Sequence, residues 1–316
     1  MIHFGIIGAG NIAHRFAASL SNLDNAKLYA ISGRNIDKLN KFMEKFPCSK
    51  KYLSYDELLE DPGVDAVYIS LPNFLHKEYS LKALKAHKAV LCEKPAMVNE
   101  EEMEEVKTCA IDNNILFMEA MKSRFTPAYI EITNIINSGI IGDIKSIDTK
   151  ISFNVMNDQN RPSHFSDPKT GGVLRDSGIY CASYYESFLK DKIIVDDVKV
   201  KYYLDSDIND VVLIHSGNIT GKIEVAFDGP KEYCASIKGN KGEIIIFNPH
   251  RPDAYDLVVD GVLTHHDCPY IVDDFYGQIK HFCSLIENKR TESDIMPLSA
   301  SLKMARLIDD IYKKMK

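Results

Sequence analysis

A glycine-rich turn near the start of the chain has the residue types and spacing to hold a phosphate. The first apolar run reads as a strand, and Gly8-Ala9-Gly10-Asn11-Ile12-Ala13 follows it and opens a helical pattern. Gly8 permits the tight bend, Gly10 lets the backbone approach a pyrophosphate, and Ala13 allows close helix–sheet packing. The helix N-terminus then presents unpaired N–H groups and a positive dipole end to the phosphates. This pattern predicts dinucleotide contacts from Gly8, Gly10, Asn11 and Ile12.

The end of the next predicted strand bears on the choice of dinucleotide. A free ribose 2′-hydroxyl usually meets an Asp or Glu about 20 residues beyond the glycines. The chain reads Ile31-Ser32-Gly33-Arg34-Asn35 there, without an acid. Ser32 and Arg34, with Lys38 one helical turn further on, are suited to hold a 2′-phosphate. The alternative is that Arg34 is an ordinary surface charge. The missing acid favours NADP over NAD.

A lysine between a glutamate and a proline follows a later apolar run. Ala89–Cys92 reads as a buried strand, and Asn99 with Glu102 three residues on is typical of a helix start. Glu93-Lys94-Pro95 therefore lies on a strand-to-helix connection, where α/β proteins gather ligands. Pro95 makes a cis peptide accessible, which would fix the direction of the lysine. On its own, however, the segment favours a solvent-exposed strand exit.

The elements that must position these residues alternate regularly up to about residue 120. Short apolar runs, which read as strands, alternate with segments whose apolar residues recur every three or four positions. Such alternation predicts a doubly wound parallel sheet covered by helices on both faces, a Rossmann arrangement. The strands are predicted at Ile2–Ile7, Leu28–Ser32, Val64–Leu71, Ala89–Cys92 and Ile115–Glu119, and the helices at Ile12–Leu20, Asp37–Phe46, Leu75–Ala86 and Glu100–Asn113.

The second part of the chain has a different pattern. A long strand is predicted at Ile144–Val155 and a helix at Val173–Leu189, after an irregular polar stretch. Alternating apolar residues between about 198 and 227, separated by turn signals, predict a mainly antiparallel sheet. The fold class is therefore α/β: residues 1–120 form a dinucleotide-binding domain, and residues 121–316 form an α+β domain for substrate binding and oligomerisation.

Composition excludes several classes of protein. The chain has 316 residues with 45% hydrophobic and 26% charged residues, which is ordinary for a globular protein. A net charge of −7 argues against a nucleic-acid surface, and no apolar run reaches membrane-spanning length. The start lacks a signal peptide's basic region, and seven cysteines without framework spacing suit reduced thiols. These features predict a cytoplasmic protein. His265-His266 is read as an exposed loop, because it lacks the ligand set of a metal site.

Several motifs in order give the chain a resemblance to a known family, the glucose–fructose oxidoreductase/inositol dehydrogenase (Gfo/Idh/MocA) family. Their order and spacing run through nearly the whole sequence. Arg124-Phe125-Thr126-Pro127 and Tyr180 look most like the dimeric dihydrodiol dehydrogenase and NADP-linked xylose dehydrogenase branch. The motifs are Gly8–Ala13, Leu71-Pro72-Asn73 with His76, Glu93-Lys94-Pro95, Met118-Glu119-Ala120 with Arg124-Phe125, and Gly171–Tyr180.

The resemblance implies roles for residues of the first part of the chain. It makes Lys94 the active-site lysine, projecting where nicotinamide and substrate meet, with Pro95 holding the turn. It places Glu93 near the nicotinamide ribose. For His76 the alternative is a structural hydrogen bond at a helix start. The residues implied to line the cofactor groove at the preceding strand end are Leu71, Pro72, Asn73 and His76.

In the second part, the resemblance points to Asp176 and Tyr180. They are four residues apart and therefore share one face of the predicted helix. Many family members have a histidine where this chain has Tyr180, so the departure indicates a tyrosine acid/base. Tyrosine ordinarily titrates near pH 10, and a neighbouring Lys94 ammonium would stabilise the phenolate. Structurally, Tyr180 could instead be a core aromatic and Asp176 a surface residue.

The implied activity is that of an NAD(P)-dependent oxidoreductase. Hydride would pass between nicotinamide and a sugar, cyclic polyol or trans-dihydrodiol while Tyr180 exchanges the hydroxyl proton and Asp176 orients substrate or lysine. Phe153, Arg161 and His164 are candidates for the pocket wall. Two alternatives remain open: a catalytically silent sugar-binding regulator, and an NAD-dependent glycosidase of the same family. We expect no membrane or nucleic-acid partner, and a homodimer or a dimer of dimers.

Overall fold

A computed structural model describes residues 1–156, 167 and 171–315. The chain forms two compact units, of which the first contains Met1–Met121 and Ile271–Leu302 and the second contains Lys122–Tyr270 and Lys303–Lys316. The sequence predicted two contiguous domains, 1–120 and 121–316. In the structure, residues 271–302 belong to the first compact unit instead. That segment joins the first unit because Asp273 accepts a hydrogen bond from Ser19 at 2.9 Å and a later helix packs on the first one.

The strands follow the apolar runs of the sequence closely in the first part and the alternating runs in the second. They are β1 Ile2–Ile7, β2 Ala26–Ser32, β3 Lys50–Tyr52, β4 Ala66–Ile69, β5 Ala89–Glu93, β6 Phe117–Ala120, β7 Ile144–Asn154, β8 Ile194–Tyr203, β9 Ser206–Ser216, β10 Ile219–Ala226, β11 Asp228–Gly239, β12 Gly242–Phe247, β13 Ala254–Val259 and β14 Val262–Asp267.

The four helices predicted in the first part of the chain begin and end within one residue of their expected positions. The helices are α1 Asn11–Leu20, α2 Ile36–Lys45, α3 Tyr55–Glu60, α4 His76–Lys85, α5 Glu100–Asn113, α6 Pro127–Ser138, α7 Ile179–Phe188, α8 Tyr276–Glu287 and α9 Leu298–Lys314. Within the described ranges, no helix combines the length and apolar character needed to cross a membrane.

The sheet of the first unit has the strand order β3-β2-β1-β4-β5-β6, and its pairs are parallel. The chain leaves β1 toward β2 on one side and later returns to β4 on the other, which creates a crevice at the carboxyl ends of β1 and β4. The doubly wound prediction is confirmed. This crevice is where such folds bind ligands.

Side-chain caps explain why two helices of the first unit begin where they do. The Asn99 side chain accepts a hydrogen bond from the Glu102 N–H at 2.8 Å and caps α5. Ser54 accepts from the Glu57 N–H at 3.5 Å at the start of α3. Each cap satisfies one of the N–H groups that a helix start leaves without an intrahelical partner. The capping pattern in the sequence therefore located the start of α5 correctly.

The described part of the second unit contains the sheet β14-β13-β12-β11-β7-β10-β9-β8, in which only β7 and β10 pair in parallel. The predicted mainly antiparallel sheet is confirmed. The interpretation of His265-His266 as a loop is wrong, because both lie in the edge strand β14, where Tyr255 pairs with His266. Alternation there is hidden because most side chains of an edge strand are exposed.

Candidate active site

The glycine turn lies between the carboxyl ends of β1 and β4. Gly8 has φ +104°, and a Cβ atom there would lie 2.9 Å from the carbonyl oxygen of Ser70, which follows β4. The Gly8 N–H also donates to the carbonyl of Ser32, the last residue of β2, at 3.0 Å. Only glycine accommodates both this backbone conformation and this approach. The turn is therefore fixed at the crevice where the strand order reverses.

Gly10 and the first residues of α1 leave room above that turn. A Cβ atom at Gly10 would meet nothing within 4 Å, and Gly10 provides no side-chain cap for the helix. Asn11 is exposed and Ile12 is half-buried. The first N–H groups of a helix have no intrahelical acceptor and carry its positive dipole end. These donors fit the pyrophosphate of a dinucleotide.

At the end of β2, the structure separates the residues assigned to a 2′-phosphate. Ser32 is fully buried, and its hydroxyl donates to the Ile6 carbonyl at 3.2 Å. This bond is part of the sheet core, so we withdraw Ser32 from the cofactor set. Arg34 and Lys38 are exposed at the strand end and the start of α2. They remain the cationic groups available to a 2′-phosphate.

The turn that carries Lys94 is held by carboxylates on both sides. Lys94 is half-buried, and its peptide bond to Pro95 is cis. The Lys94 N–H donates to Glu93 at 3.2 Å, and Glu93 in turn accepts a short hydrogen bond from Tyr68 in the neighbouring strand β4. Glu93 is only 8% exposed. A buried carboxylate that is tied in this way mainly fixes the backbone beneath the lysine.

His76 lies beneath the same turn rather than in a groove. It is 1% exposed, with Nε2 2.8 Å from the Leu71 carbonyl and Nδ1 2.9 Å from the Pro95 carbonyl. Burial lowers the pKa of His76, and the hydrogen bonds to the Leu71 and Pro95 carbonyls partly oppose this shift. Both ring nitrogens are occupied by main chain, so the structural alternative holds and we withdraw His76 from the cofactor set. The side chain links the carboxyl-end loops of β4 and β5.

The neighbouring loop keeps its other assigned residues near the surface of the first unit. Pro72 is exposed, Asn73 is half-buried and begins a short 3₁₀ turn, and Leu71 is 9% exposed. These positions suit residues that line a groove. Their contact with a cofactor remains a prediction.

In the second unit, the helix expected at Val173–Leu189 is not a single regular helix. One turn of π-helix, Leu174–Gly178, precedes the α-helix that continues to Phe188. Asp176 lies in the π-turn and is half-buried, whereas Tyr180 lies in the first turn of α7 and is 7% exposed. Single π-turns are rare and are often found at functional sites. The segment that carries both assigned residues is therefore conformationally distinct.

The far end of α7 is fixed by Arg124. Its guanidinium forms an ion pair with Glu186 at 2.7 Å and donates to the Ser183 hydroxyl at 2.7 Å. Arg124 is 3% exposed, and breaking a buried pair of this kind typically costs about 3–5 kcal/mol. Tyr185 adds a hydroxyl bond to the Ile147 carbonyl at 2.7 Å, which joins α7 to β7. The helix is thereby held rigidly on the sheet.

A row of aromatic rings leads away from Tyr180 along the second unit. The His250 ring lies 6.0 Å from Tyr180 and 5.0 Å from Tyr233, and Phe153 lies 6.1 Å from Tyr233. These three neighbours are partly exposed. Flat, partly exposed rings provide an apolar wall for a cyclic ligand. Two other predicted wall residues, Arg161 and His164, lie outside the described residues.

Sequence reasoning missed three residues that act on these segments. Asp207 of β9 accepts a hydrogen bond from the Leu174 N–H at 2.8 Å, and Tyr312 of α9 donates to Asp207 at 2.9 Å. His250 was missed as well. No local signal marks them, because each is distant in sequence from the segment that it contacts. Glu119 lies within a motif that the sequence analysis recognised. The hydrogen bond that it accepts from the Ala96 N–H at 2.9 Å was not predicted.

Comparison with known proteins gives matches over most of the chain. A GFO/IDH/MocA model, described as an oxidoreductase family with an NAD-binding Rossmann fold, matches residues 2–121. A GFO/IDH/MocA C-terminal domain model matches residues 129–245.

Individual relatives match over nearly the full length. The chain is 29% identical to the mouse trans-1,2-dihydrobenzene-1,2-diol dehydrogenase, over 99% of this chain and 96% of the relative. It is 28% identical to scyllo-inositol 2-dehydrogenase (NADP(+)) IolU of Bacillus subtilis, over 100% and 97%.

Solved structures share the fold. KijD10, a 3-ketoreductase from Actinomadura kijaniata in complex with NADP and TDP-benzene, superposes with a TM-score of 0.89 at 23% identity, covering 99% of this chain and 97% of that chain. The two matched models lie one in each compact unit, over residues 2–121 and 129–245. The chain therefore belongs to the GFO/IDH/MocA oxidoreductase family.

Proposed function

We propose that the protein is an NADP-preferring oxidoreductase that transfers hydride between nicotinamide and a CH–OH group of a sugar, cyclic polyol or trans-dihydrodiol. The observation that carries the proposal is the glycine turn at the sheet crevice, in a chain of this oxidoreductase family. Exposed Arg34 and Lys38, with no acid at the end of β2, support NADP. IolU, a relative, is named as NADP-dependent.

The substrate class rests on the relatives and on the aromatic row. The relatives' names include a trans-dihydrodiol and an inositol, which are both cyclic compounds with hydroxyl groups. His250, Tyr233 and Phe153 offer ring faces beside Tyr180. Ring faces pack against the C–H face of a cyclic polyol and equally against an unsaturated ring. A linear, fully charged substrate would gain little from this surface.

The roles of the chain's own residues follow from their chemistry. When bound, the nicotinamide supplies or accepts the hydride. In the oxidising direction, Tyr180 takes the hydroxyl proton as the carbon gives up hydride and the C=O bond forms. The Lys94 ammonium polarises the reacting oxygen and favours the phenolate form of the tyrosine. Asp176 orients the substrate or the lysine.

A second copy of the chain would cover the exposed face of the large sheet. Burial alternates along β9, where Val212 is fully buried and Leu213 is 42% exposed. On the same sheet, Lys222 pairs with Glu224 at 2.8 Å and Lys150 with Glu232 at 2.6 Å. A self-complementary two-fold contact can use such charges of both signs. A homodimer or dimer of dimers is expected by light scattering at micromolar concentration, and a monomeric mass would refute it.

The cysteines support a reducing compartment. The described thiols, which include buried Cys92, Cys181 and Cys283, are all free. Reduced thiols are the normal state in a cytoplasm. A cytoplasmic location is therefore part of the proposal, and the net charge of −7 argues against a nucleic-acid partner.

The experiment that tests the function is a substrate panel followed by absorbance of reduced nicotinamide. Aldoses, inositols and a trans-dihydrodiol are offered with NADP or NAD, and the Tyr180→Phe protein is the control for contaminating activity. Net reduction of NADP by at least one cyclic substrate is expected. Stabilisation by NADP and a sugar without turnover would instead identify a silent regulator. Release of free sugar from a glycoside without net cofactor reduction would identify a glycosidase.

A further inference from the structure

The carboxylate of Asp207 joins three elements of the second unit at the start of the π-turn. One oxygen accepts the Leu174 N–H at 2.8 Å, and the other accepts the Tyr312 hydroxyl at 2.9 Å. Asp207 is 3% exposed. Strand β9, the π-turn and the last helix therefore meet at one buried carboxylate. Leu174, whose N–H it accepts, lies two residues before Asp176 in the turn.

The backbone before the π-turn is shaped to admit this carboxylate. Gly172 has φ +96°, and a Cβ atom there would lie 2.1 Å from an oxygen of Asp207. Any side chain at that position would collide with the carboxylate in addition to being strained. The Asp176 N–H then donates to the Gly172 carbonyl at 3.2 Å. Gly172 thus lies against Asp207 and also accepts the hydrogen bond from Asp176.

A second acid lies beside this carboxylate. Asp210 lies on the same strand and is fully buried. Burial, with a smaller contribution from the neighbouring Asp207, raises the pKa of Asp210 to about 9. Among the described residues no group donates a hydrogen bond to its oxygens. Asp210 therefore stays protonated at neutral pH.

The donor on the last helix is fixed as well. The Arg175 guanidinium carbon lies 4.3 Å from the centre of the Tyr312 ring, so the residue next to Asp176 also holds Tyr312. Burial raises the pKa of Tyr312 well above its usual value. The hydroxyl therefore remains protonated and donates to Asp207 throughout the neutral range.

We propose that Asp207 is a positioning residue for the reaction, because its carboxylate holds the π-turn that sets Asp176 and the first turn of the helix that carries Tyr180. This inference rests on the proposed function of those two residues. Single π-turns are rare within helices, and this one is bonded from outside the helix by Asp207. Without the carboxylate, the Leu174 N–H is left buried and unpaired, and the turn relaxes toward the α-helical register. Asp176 and Tyr180 then change direction relative to each other.

The test compares Asp207→Ala, Asp207→Asn and Tyr312→Phe with a matched control, Tyr255→Phe. Tyr255 is 2% exposed and donates to Glu131 at 3.2 Å, so the control also loses a part-buried tyrosine–carboxylate bond, but between β13 and α6 rather than at the π-turn. Asp207→Ala is expected to lower kcat about 10- to 100-fold, the effect of a displacement near 1 Å in a catalytic group. The Kd for NADP should stay within about twofold, because its predicted contacts lie in the first unit.

The conservative variants separate positioning from general stability. Asp207→Asn keeps an acceptor for the Leu174 N–H and should recover much of the lost kcat. Tyr312→Phe and Tyr255→Phe should lower Tm by similar amounts. Tyr312→Phe should also lower kcat severalfold, whereas Tyr255→Phe should leave kcat within about twofold of that of the unchanged protein. If Asp207→Ala fails to fold, the two tyrosine variants decide. Equal kcat in Tyr312→Phe and Tyr255→Phe would overturn the proposal.

A readout without turnover keeps the inference distinct from the proposed function. Hydrogen exchange of the amides at 174–180 should accelerate at least tenfold in Asp207→Ala or Tyr312→Phe, and not in Tyr255→Phe. If the unchanged protein turns over no substrate of the panel, the proposed function fails, and exchange alone reports on the anchor. Unchanged exchange in both variants would overturn the role of Asp207 whatever the activity.

Discussion

The carboxylate of Glu119 accepts a hydrogen bond from the Ala96 N–H at 2.9 Å, two residues beyond Lys94. Glu119 lies in β6, next to β5, and is 2% exposed. Together with Glu93 and His76 it ties the Lys94 turn to the strands and the helix around it. The lysine is therefore presented by a backbone that is fixed on several sides.

This relationship predicts different results for two substitutions of Glu119. Glu119→Ala leaves the Ala96 N–H buried without an acceptor, which costs about 1–3 kcal/mol of the free energy of unfolding. Glu119→Gln keeps an oxygen for that bond, so it should lose less stability and retain more activity. Urea unfolding and kcat measure the two effects. A Gln variant as unstable as the Ala variant would show that the charge, rather than the bond, is what the turn needs.

Arg34 and Ser32 provide a matched pair for the cofactor. If Arg34 clamps a 2′-phosphate, Arg34→Ala should weaken NADP much more than NAD, by roughly ten- to a hundredfold for a bond worth about 1.5–3 kcal/mol. Ser32→Ala should affect both cofactors alike, because its hydroxyl is buried on the Ile6 carbonyl. Titration of each variant with both cofactors gives the ratio. Equal losses for NADP and NAD in Arg34→Ala would remove the assignment.

The contrast between Arg34 and Ser32 shows what the sequence could and could not predict. Local patterns located the strands and helix starts of the first unit, because hydrophobic periodicity and caps act over a few residues. They did not locate β3, Lys50–Tyr52, whose residues are polar or half-exposed. Nor could they show whether a serine at a strand end points into the sheet or toward a ligand. That choice is made by packing.

Anchors contributed by distant segments were beyond prediction for the same reason. Asp207 and Tyr312 reach the π-turn from another strand and from the last helix. The periodicity of residues 173–189 is close to that of a regular helix, so the π-turn itself left no mark. The external carboxylate that selects it is visible only in three dimensions. The role of Lys94, by contrast, was assigned directly by family resemblance, and it stays a prediction.

Asp210 gives a pH dependence of stability with a definite sign. Its pKa in the folded protein, about 9, is far above the ordinary carboxyl value because of burial. Between roughly pH 4 and 9 the folded state therefore holds a proton that the unfolded chain releases, and this group lowers stability as pH rises. The slope from one such group is at most about 1.4 kcal/mol per pH unit.

Asp210→Asn removes that titration, so its stability should fall less between pH 6 and 9 than that of the unchanged protein. Thermal unfolding at several pH values measures the difference. Asp24→Asn, at an exposed position just before β2, is the control and should leave the pH dependence as it was. Parallel curves for Asp210→Asn and the unchanged protein would mean that Asp210 is ionised in the folded state.

The catalytic assignment of Tyr180 predicts a loss without unfolding. Tyr180→Phe removes only a hydroxyl from a residue whose ring packs edge-on against His250 at 6.0 Å, so the fold and NADP binding should survive. General acid/base assistance typically contributes about 10²–10⁴-fold, and kcat should fall within that range. Steady-state rates and the Kd for NADP check the two halves of the prediction. An unchanged kcat at every pH would show that tyrosine does not transfer the proton.

Lys94 and Tyr180 are expected to act as a unit, and the double variant tests this. Lys94→Met removes the cation that favours the phenolate, so it should cost a similar or larger factor in kcat and move the basic limb of the pH–rate profile upward in any residual activity. Once either group is lost, the other has little left to assist. The double variant should therefore lose much less than the product of the two single losses. Strictly multiplicative losses would mean that the lysine and the tyrosine act independently of each other.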